Sequence, residues 1–99
     1  WQKAGADYAM YPPDIEVKKL YPSGEWNSTK IIFTEKKVEY WLNEQKILSF
    51  IPWSQDWHER KNNGKWKDSK FYGKFKEGYI GLQDHNSSIS FRNMKIRKL

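Results

Sequence analysis

Ninety-nine residues make one small domain at most, and a chain of this size buries only about two-thirds of its unfolded surface. Leu, Ile, Val and Phe supply about a fifth of the residues, the edge at which sequences stop folding, but 6 Trp and 6 Tyr make good the shortfall and exclude disorder. No apolar run approaches the roughly 20 residues of a membrane span, and no signal-peptide pattern opens the chain. Zero cysteines exclude a disulfide scaffold, a thiolate metal site and a cysteine nucleophile.

In chain order, residues 8–11 form the first candidate strand, ended by Pro12-Pro13. Residues 30–35 (KIIFTE), 37–42 (KVEYWL) and 46–51 (KILSFI) are short β-branched and aromatic runs with turn-like pieces between them. That spacing predicts a three-stranded antiparallel meander. In its middle strand Val38, Tyr40 and Leu42 share one face, while Lys37, Glu39 and Trp41 share the other. A tryptophan on a polar face is either covered by a second packed layer or is a platform for stacking a sugar; the first is the commoner arrangement.

Residues 54–63 are the one helix candidate. Ser54 can cap, Asp56 suits the first turn, Arg60 and Lys61 suit the last, and Gly64 can stop it. Residues 65–77 then interleave lysines with Trp66, Phe71, Tyr72 and Phe75. Such a mixture can stack single-stranded bases; a long loop pinned to a sheet by its rings is the preferred reading. The last element is a hairpin. In residues 79–84 (YIGLQD) Ile80 and Leu82 point one way, and His85 follows in phase with Gln83. After the turn at 86–88, residues 89–99 form the closing strand, whose apolar parity slips between Phe91 and Met94. A slip of one residue implies a β-bulge near Arg92-Asn93. The fold class is all-β with one short helix.

The net charge of +6 is local. Between His58 and Lys76 seven Lys and Arg face only Glu59 and Asp68. A basic segment can bind phosphate backbones, but a solvated loop is the preferred reading and no nucleic-acid partner is expected. Catalytic signatures are sparse, with no glycine-rich phosphate loop, no HExxH and no GxSxG. With only His58 and His85, a three-histidine zinc site is impossible. Asp84-His85 at a strand end is the suggestive pair, since a carboxylate beside an imidazole can orient a base. Adjacent strand residues face opposite ways, however, so Gln83 rather than Asp84 shares the face of His85. Two Asn-x-Ser/Thr sequons, at Asn27 and Asn86, are weak signals.

Residues 24–27 (GEWN), 41–43 (WLN), 69–71 (SKF), 78–85 (GYIGLQDH) and 90–96 (SFRNMKI) resemble, in order and spacing, the C-terminal half of the 3-keto-disaccharide hydrolase domain family. The resemblance runs from Gly5 to Leu99, and it departs at Glu44, where that family carries glycine after "WLN". A two-residue turn is therefore expected to change type there. The resemblance implies a concanavalin-like jelly-roll sandwich from exported, periplasmic or cell-surface proteins of Bacteroidetes. It implies a chain that is a single domain over 1–99 but only half of the complete sandwich. Uncovered edge strands would then favour self-association. The implied activity is cleavage of 3-keto-glycosides. A ketone at C3 acidifies the C2 hydrogen, a base removes it, the C1 group departs and water adds. His85 is the candidate base or metal ligand, with no cofactor specified. Gln83 and Asp84 are candidates for substrate contacts, and Tyr8, Trp26 or Trp41 for stacking on the sugar ring. A non-catalytic carbohydrate-binding module is the alternative from another class, and a single-stranded nucleic-acid module on 58–76 is a weaker one.

Overall fold

The computed structural model describes residues 2–99. Its regular elements are β1 (Thr29–Phe33), β2 (Val38–Leu42), β3 (Gln45–Phe50) and α1 (Gln55–Asn63). The three strands form the expected antiparallel meander in the order β1-β2-β3. Val38, Tyr40 and Leu42 lie on one face of β2, opposite Phe33, Ile31 and Thr29 on β1. Between β2 and β3 the register shifts at Tyr40/Trp41, because Tyr40 pairs with Leu48 and Trp41 with Lys46. Ile47 is the extra residue of this bulge. The bulge explains why two consecutive residues, Ile47 and Leu48, are both buried where strict alternation would expose one of them. Core packing follows: Leu42, Ile47 and Leu48 meet Met10, Tyr11 and Trp57.

The β2–β3 turn corrects one expectation. Asn43 and Glu44 have φ of 46° and 67°, the pattern of the type I′ turn that Asn-Gly favours. Glutamate is thus fitted into that turn, and the turn type is kept. A side chain in the left-handed region costs about 1–2 kcal/mol. Glu44→Gly should therefore raise stability by roughly 0.5–1 kcal/mol, once the greater freedom of glycine in the unfolded chain is subtracted. Chemical denaturation of the two proteins measures it.

Ser54 caps α1 as its sequence implies, its hydroxyl accepting from the Trp57 N–H at 3.2 Å. Trp57 is the one buried residue of this helix, and polar contacts add to its attachment: Asp56 accepts from the Tyr11 hydroxyl at 2.7 Å and Arg60 donates to the Met10 carbonyl at 3.2 Å. Residues 65–75 turn repeatedly and are held by Trp66 and Tyr72, as the pinned-loop reading expects. Residues 8–11 do not make a strand. They belong to a tight turn closed by an isolated bridge between Asp7 and Tyr11, with Ala9 at φ 60°. Nor do residues 79–84 and 89–99 pair as a hairpin, since no β-ladder among the described residues includes them. A lone two-stranded hairpin is at best marginal in water. Asn93 does adopt φ 54° where the parity slips, but outside any ladder.

Exposure shows why the pairing fails. Ile80, Leu82, Ile89, Phe91, Met94 and Ile96 lie open, and so do Ile31 and Phe33 on the core face of β1. Sheets hide such faces against a second sheet about 10 Å away. The described residues supply one antiparallel layer and a helix, a partial sandwich.

Candidate functional site

Gln83, Asp84 and His85 occupy an exposed stretch outside the sheet, with no regular secondary structure. The three aromatic candidates sit at three separate places. Trp26 is half-exposed, and the Arg92 guanidinium lies 4.0 Å from its ring centroid. That contact joins the "GEWN" and "FRN" segments. Trp41 lies on the outer face of the sheet, where its indole donates to Glu39 at 3.1 Å and Lys30 covers its ring. Glu39 beneath it is buried, yet Lys37 at 2.6 Å and the Trp41 indole hold its carboxyl below the usual range. Trp41 is therefore covered by neighbouring side chains of its own sheet face.

The motif asparagines are used for architecture. Asn27 accepts from the Tyr21 N–H and from the Asn43 amide, at 2.9 and 2.8 Å. Asn43 in turn accepts from the Ser28 N–H and donates to the Lys19 carbonyl, both at 2.8 Å. The loop before β1 is thereby tied to the β2–β3 turn, which sets where Trp26 stands.

Tyr8 belongs to the richest cluster. Its hydroxyl accepts from Lys65 Nζ at 2.8 Å and Gln2 Nε2 at 3.2 Å. Those donors hold the phenol below its ordinary range, Lys65 contributing most. The Trp66 ring tilts against Tyr8 at 5.8 Å, and its indole donates to the Tyr8 carbonyl at 2.9 Å. Tyr72 is then stacked between Trp66 at 4.7 Å and Trp57 at 5.8 Å. Beside this wall Asp7 accepts from the Tyr40 hydroxyl at 3.3 Å. Burial pushes the Asp7 carboxyl up, and the Tyr40 bond only partly opposes it. Asp7, Tyr40, Lys65, Trp66 and Tyr72 were not singled out as site residues from the sequence. The basic-aromatic interleaving of 65–77 was the one available sign, and nothing in the sequence joins it to Asp7.

Tyr11, Tyr40 and Tyr72 are held above the ordinary phenol range, each chiefly by desolvation. Their folded pKa values exceed the unfolded value near 10, so their contribution is complete below about pH 10 and lost as pH rises through the folded values. Melting temperature should hold up to about pH 10 and fall beyond it, and Tyr72→Phe should blunt the fall. A pH series of thermal melts measures both.

Among the described residues no group of three or more His, Asp or Glu gathers as a metal site. A shallow depression of about 410 Å³ lies along β3 between Pro13 and Ile47, and none of the candidate residues lines it.

The family model of the 3-keto-alpha-glucoside-1,2-lyase-like domain matches residues 1–97. The chain belongs to this family. Among curated proteins it is similar to a 3-keto-disaccharide hydrolase of Bacteroides thetaiotaomicron, at 30% identity over 93% of this chain and 34% of that protein. Among solved structures it is similar to a candidate glycosyl hydrolase from Parabacteroides distasonis, at 45% identity and a TM-score of 0.69. That match covers 76% of this chain and 33% of the other. The chain thus spans about a third of the length of each relative. Both relatives are named as hydrolases of sugars, and no helix among the described residues of this chain is long and apolar enough to cross a membrane.

Proposed function

We propose that the chain is the C-terminal half of a sandwich that cleaves the glycosidic bond of 3-keto sugars. The observation that carries this reading is the family match over residues 1–97. The C3 ketone makes the C2 hydrogen acidic, because the carbanion left behind is an enolate. His85 removes that proton, Gln83 and Asp84 contact the sugar, and an aromatic ring such as Tyr8 supports it. The enolate expels the C1 substituent, and water adds to the resulting enone to complete hydrolysis. The exposure of Gln83, Asp84 and His85 leaves their side chains accessible to a ligand. The relatives' Bacteroides source supports an exported, periplasmic or cell-surface setting.

The test compares a 3-keto-glycoside with its parent glycoside, in the protein carrying the complete sandwich. Release of the aglycone from the keto form alone, with little dependence on salt, is the expected result. Saturable sugar binding without release would make this a binding module. Steeply salt-dependent binding of single-stranded nucleic acid in its place would move the function to the basic 58–76 segment.

A further inference from the structure

Four aromatic rings occur in residues 65–75, and folding divides them into two kinds. Trp66 and Tyr72 stack on each other and pack against the core cluster. Phe71 and Phe75 are instead 65% and 66% exposed, their rings stacked on each other at 6.0 Å. Neither joins the core cluster. The backbone that presents this pair is held turn upon turn. The Ser69 N–H donates to the Trp66 carbonyl at 2.9 Å, the Tyr72 N–H to Ser69 at 3.2 Å and the Lys74 N–H to Phe71 at 3.2 Å. The Trp53 indole clamps the Gly73 carbonyl at 2.7 Å. Charge around the pair is almost all of one sign, with Lys65, Lys67, Lys70 and Lys74 against Asp68 alone in residues 65–75. Lys74 Nζ lies 5.3 Å from the Phe71 ring centroid. Lys67, Lys70 and Lys74 are exposed and take part in no ion pair among the described residues.

We propose that this segment is a docking surface for an anionic phospholipid bilayer. Phe71 and Phe75 enter the boundary between headgroups and acyl chains, and Lys67, Lys70 and Lys74 meet the lipid phosphates. The surface goes beyond the 3-keto-glycoside reading and does not rest on it: it holds the domain against a membrane without crossing it. Each part answers a separate physical demand. Adjacent exposed phenyl rings are apolar area that water does not stabilise, and acyl chains accept them from any side. Lysines beside them add attraction to a negative leaflet, their apolar stems lying along the interface while the ammonium groups stay among the headgroups. The stacked turns hold both rings outward before any contact, so little ordering cost is left for binding. Single-stranded nucleic acid fits this pair less well. Bases stack on open ring faces, whereas Phe71 and Phe75 stack on each other and Lys74 lies over Phe71. A neutral sugar chain would leave the lysines unused.

Vesicle co-sedimentation tests this with the protein carrying the complete sandwich. Vesicles of phosphatidylcholine are compared with vesicles in which about a third of the lipid is phosphatidylglycerol. The parent should bind the anionic vesicles at least about tenfold more tightly than the neutral ones. Phe71→Ser with Phe75→Ser should weaken that binding by about tenfold or more, with the melting temperature kept because both rings lie outside the core. Lys70→Glu with Lys74→Glu leaves the rings in place and should weaken it by about twentyfold or more. No binding by the parent, or equal binding to both kinds of vesicle, overturns the proposal. Binding that ignores the phenylalanine pair and is displaced by a single-stranded oligonucleotide also overturns it, in favour of nucleic acid. So does a dimer in analytical ultracentrifugation that the phenylalanine variant dissolves, since the pair would then be covered by a second copy. Each of these failures leaves turnover of a 3-keto-glycoside untouched, so the two readings stand or fall separately.

Discussion

Trp57→Ala should cost about 3–5 kcal/mol, enough to unfold much of a domain whose whole stability lies in the range of roughly 5–15 kcal/mol. The size follows from the apolar area that one ring buries. Trp57 is 6% exposed and is the helix's one buried side chain, reaching the cluster made by Met10, Leu42, Ile47 and Leu48. On its other side it stacks on Tyr72, which in turn stacks on Trp66. Removing the indole therefore detaches the helix and the 65–75 loop together. Gly73 reports the same packing from outside: a Cβ there would stand 2.5 Å from the Trp57 ring, at a φ of +63° that disfavours any side chain. Gly73→Ala should thus destabilise the parent and cost far less once Trp57 is already alanine. Urea denaturation of the two single variants and the double variant gives the coupling. Independent, additive losses would mean that the ring and the loop do not share this contact.

His85→Ala is the second large effect, and it falls on rate. In the complete sandwich it should abolish turnover of a 3-keto-glycoside, a loss of about 10²–10⁴-fold for a general base, while the melting temperature stays within a degree or two. The separation is expected because His85 is exposed and outside the β-ladder, so its imidazole supports little of the described core. Measuring melting temperature and turnover on one purified variant is decisive. Normal turnover with a lowered melting temperature would make His85 a structural residue of the turn at Asn86.

Asp7→Asn pulls in the opposite direction on stability. Its folded pKa is raised, so its favourable contribution is complete below the unfolded value near 4 and lost as pH rises through the folded value. Above the folded value the partly buried carboxylate is a liability that asparagine removes. A pH series of thermal melts on the parent and on Asp7→Asn measures it.

Period and punctuation alone determine the centre of this molecule. The β-branched alternation of 30–51 specifies β1 to β3, and Ser54 with Gly64 bounds α1 almost to the residue. Both signals are local, arising from side chains a few positions apart. Motif spelling reaches as far as the family, since order and spacing survive in the sequence without any knowledge of contacts. Tertiary structure decides the rest. The bulge at Ile47 depends on what β2 offers across the ladder, and the two motif asparagines have their meaning only when Asn27 and Asn43 meet. The C-terminal apolar alternation reads as a hairpin, yet pairing needs neighbours on a sheet, and the described residues provide none there. Asp7 is the clearest case. An isolated aspartate beside a tyrosine carries no sign of its environment in the sequence. Its carboxyl becomes unusual only because folding brings Tyr40 and Tyr72, 33 and 65 positions away, against it and leaves no cation to hold its charge.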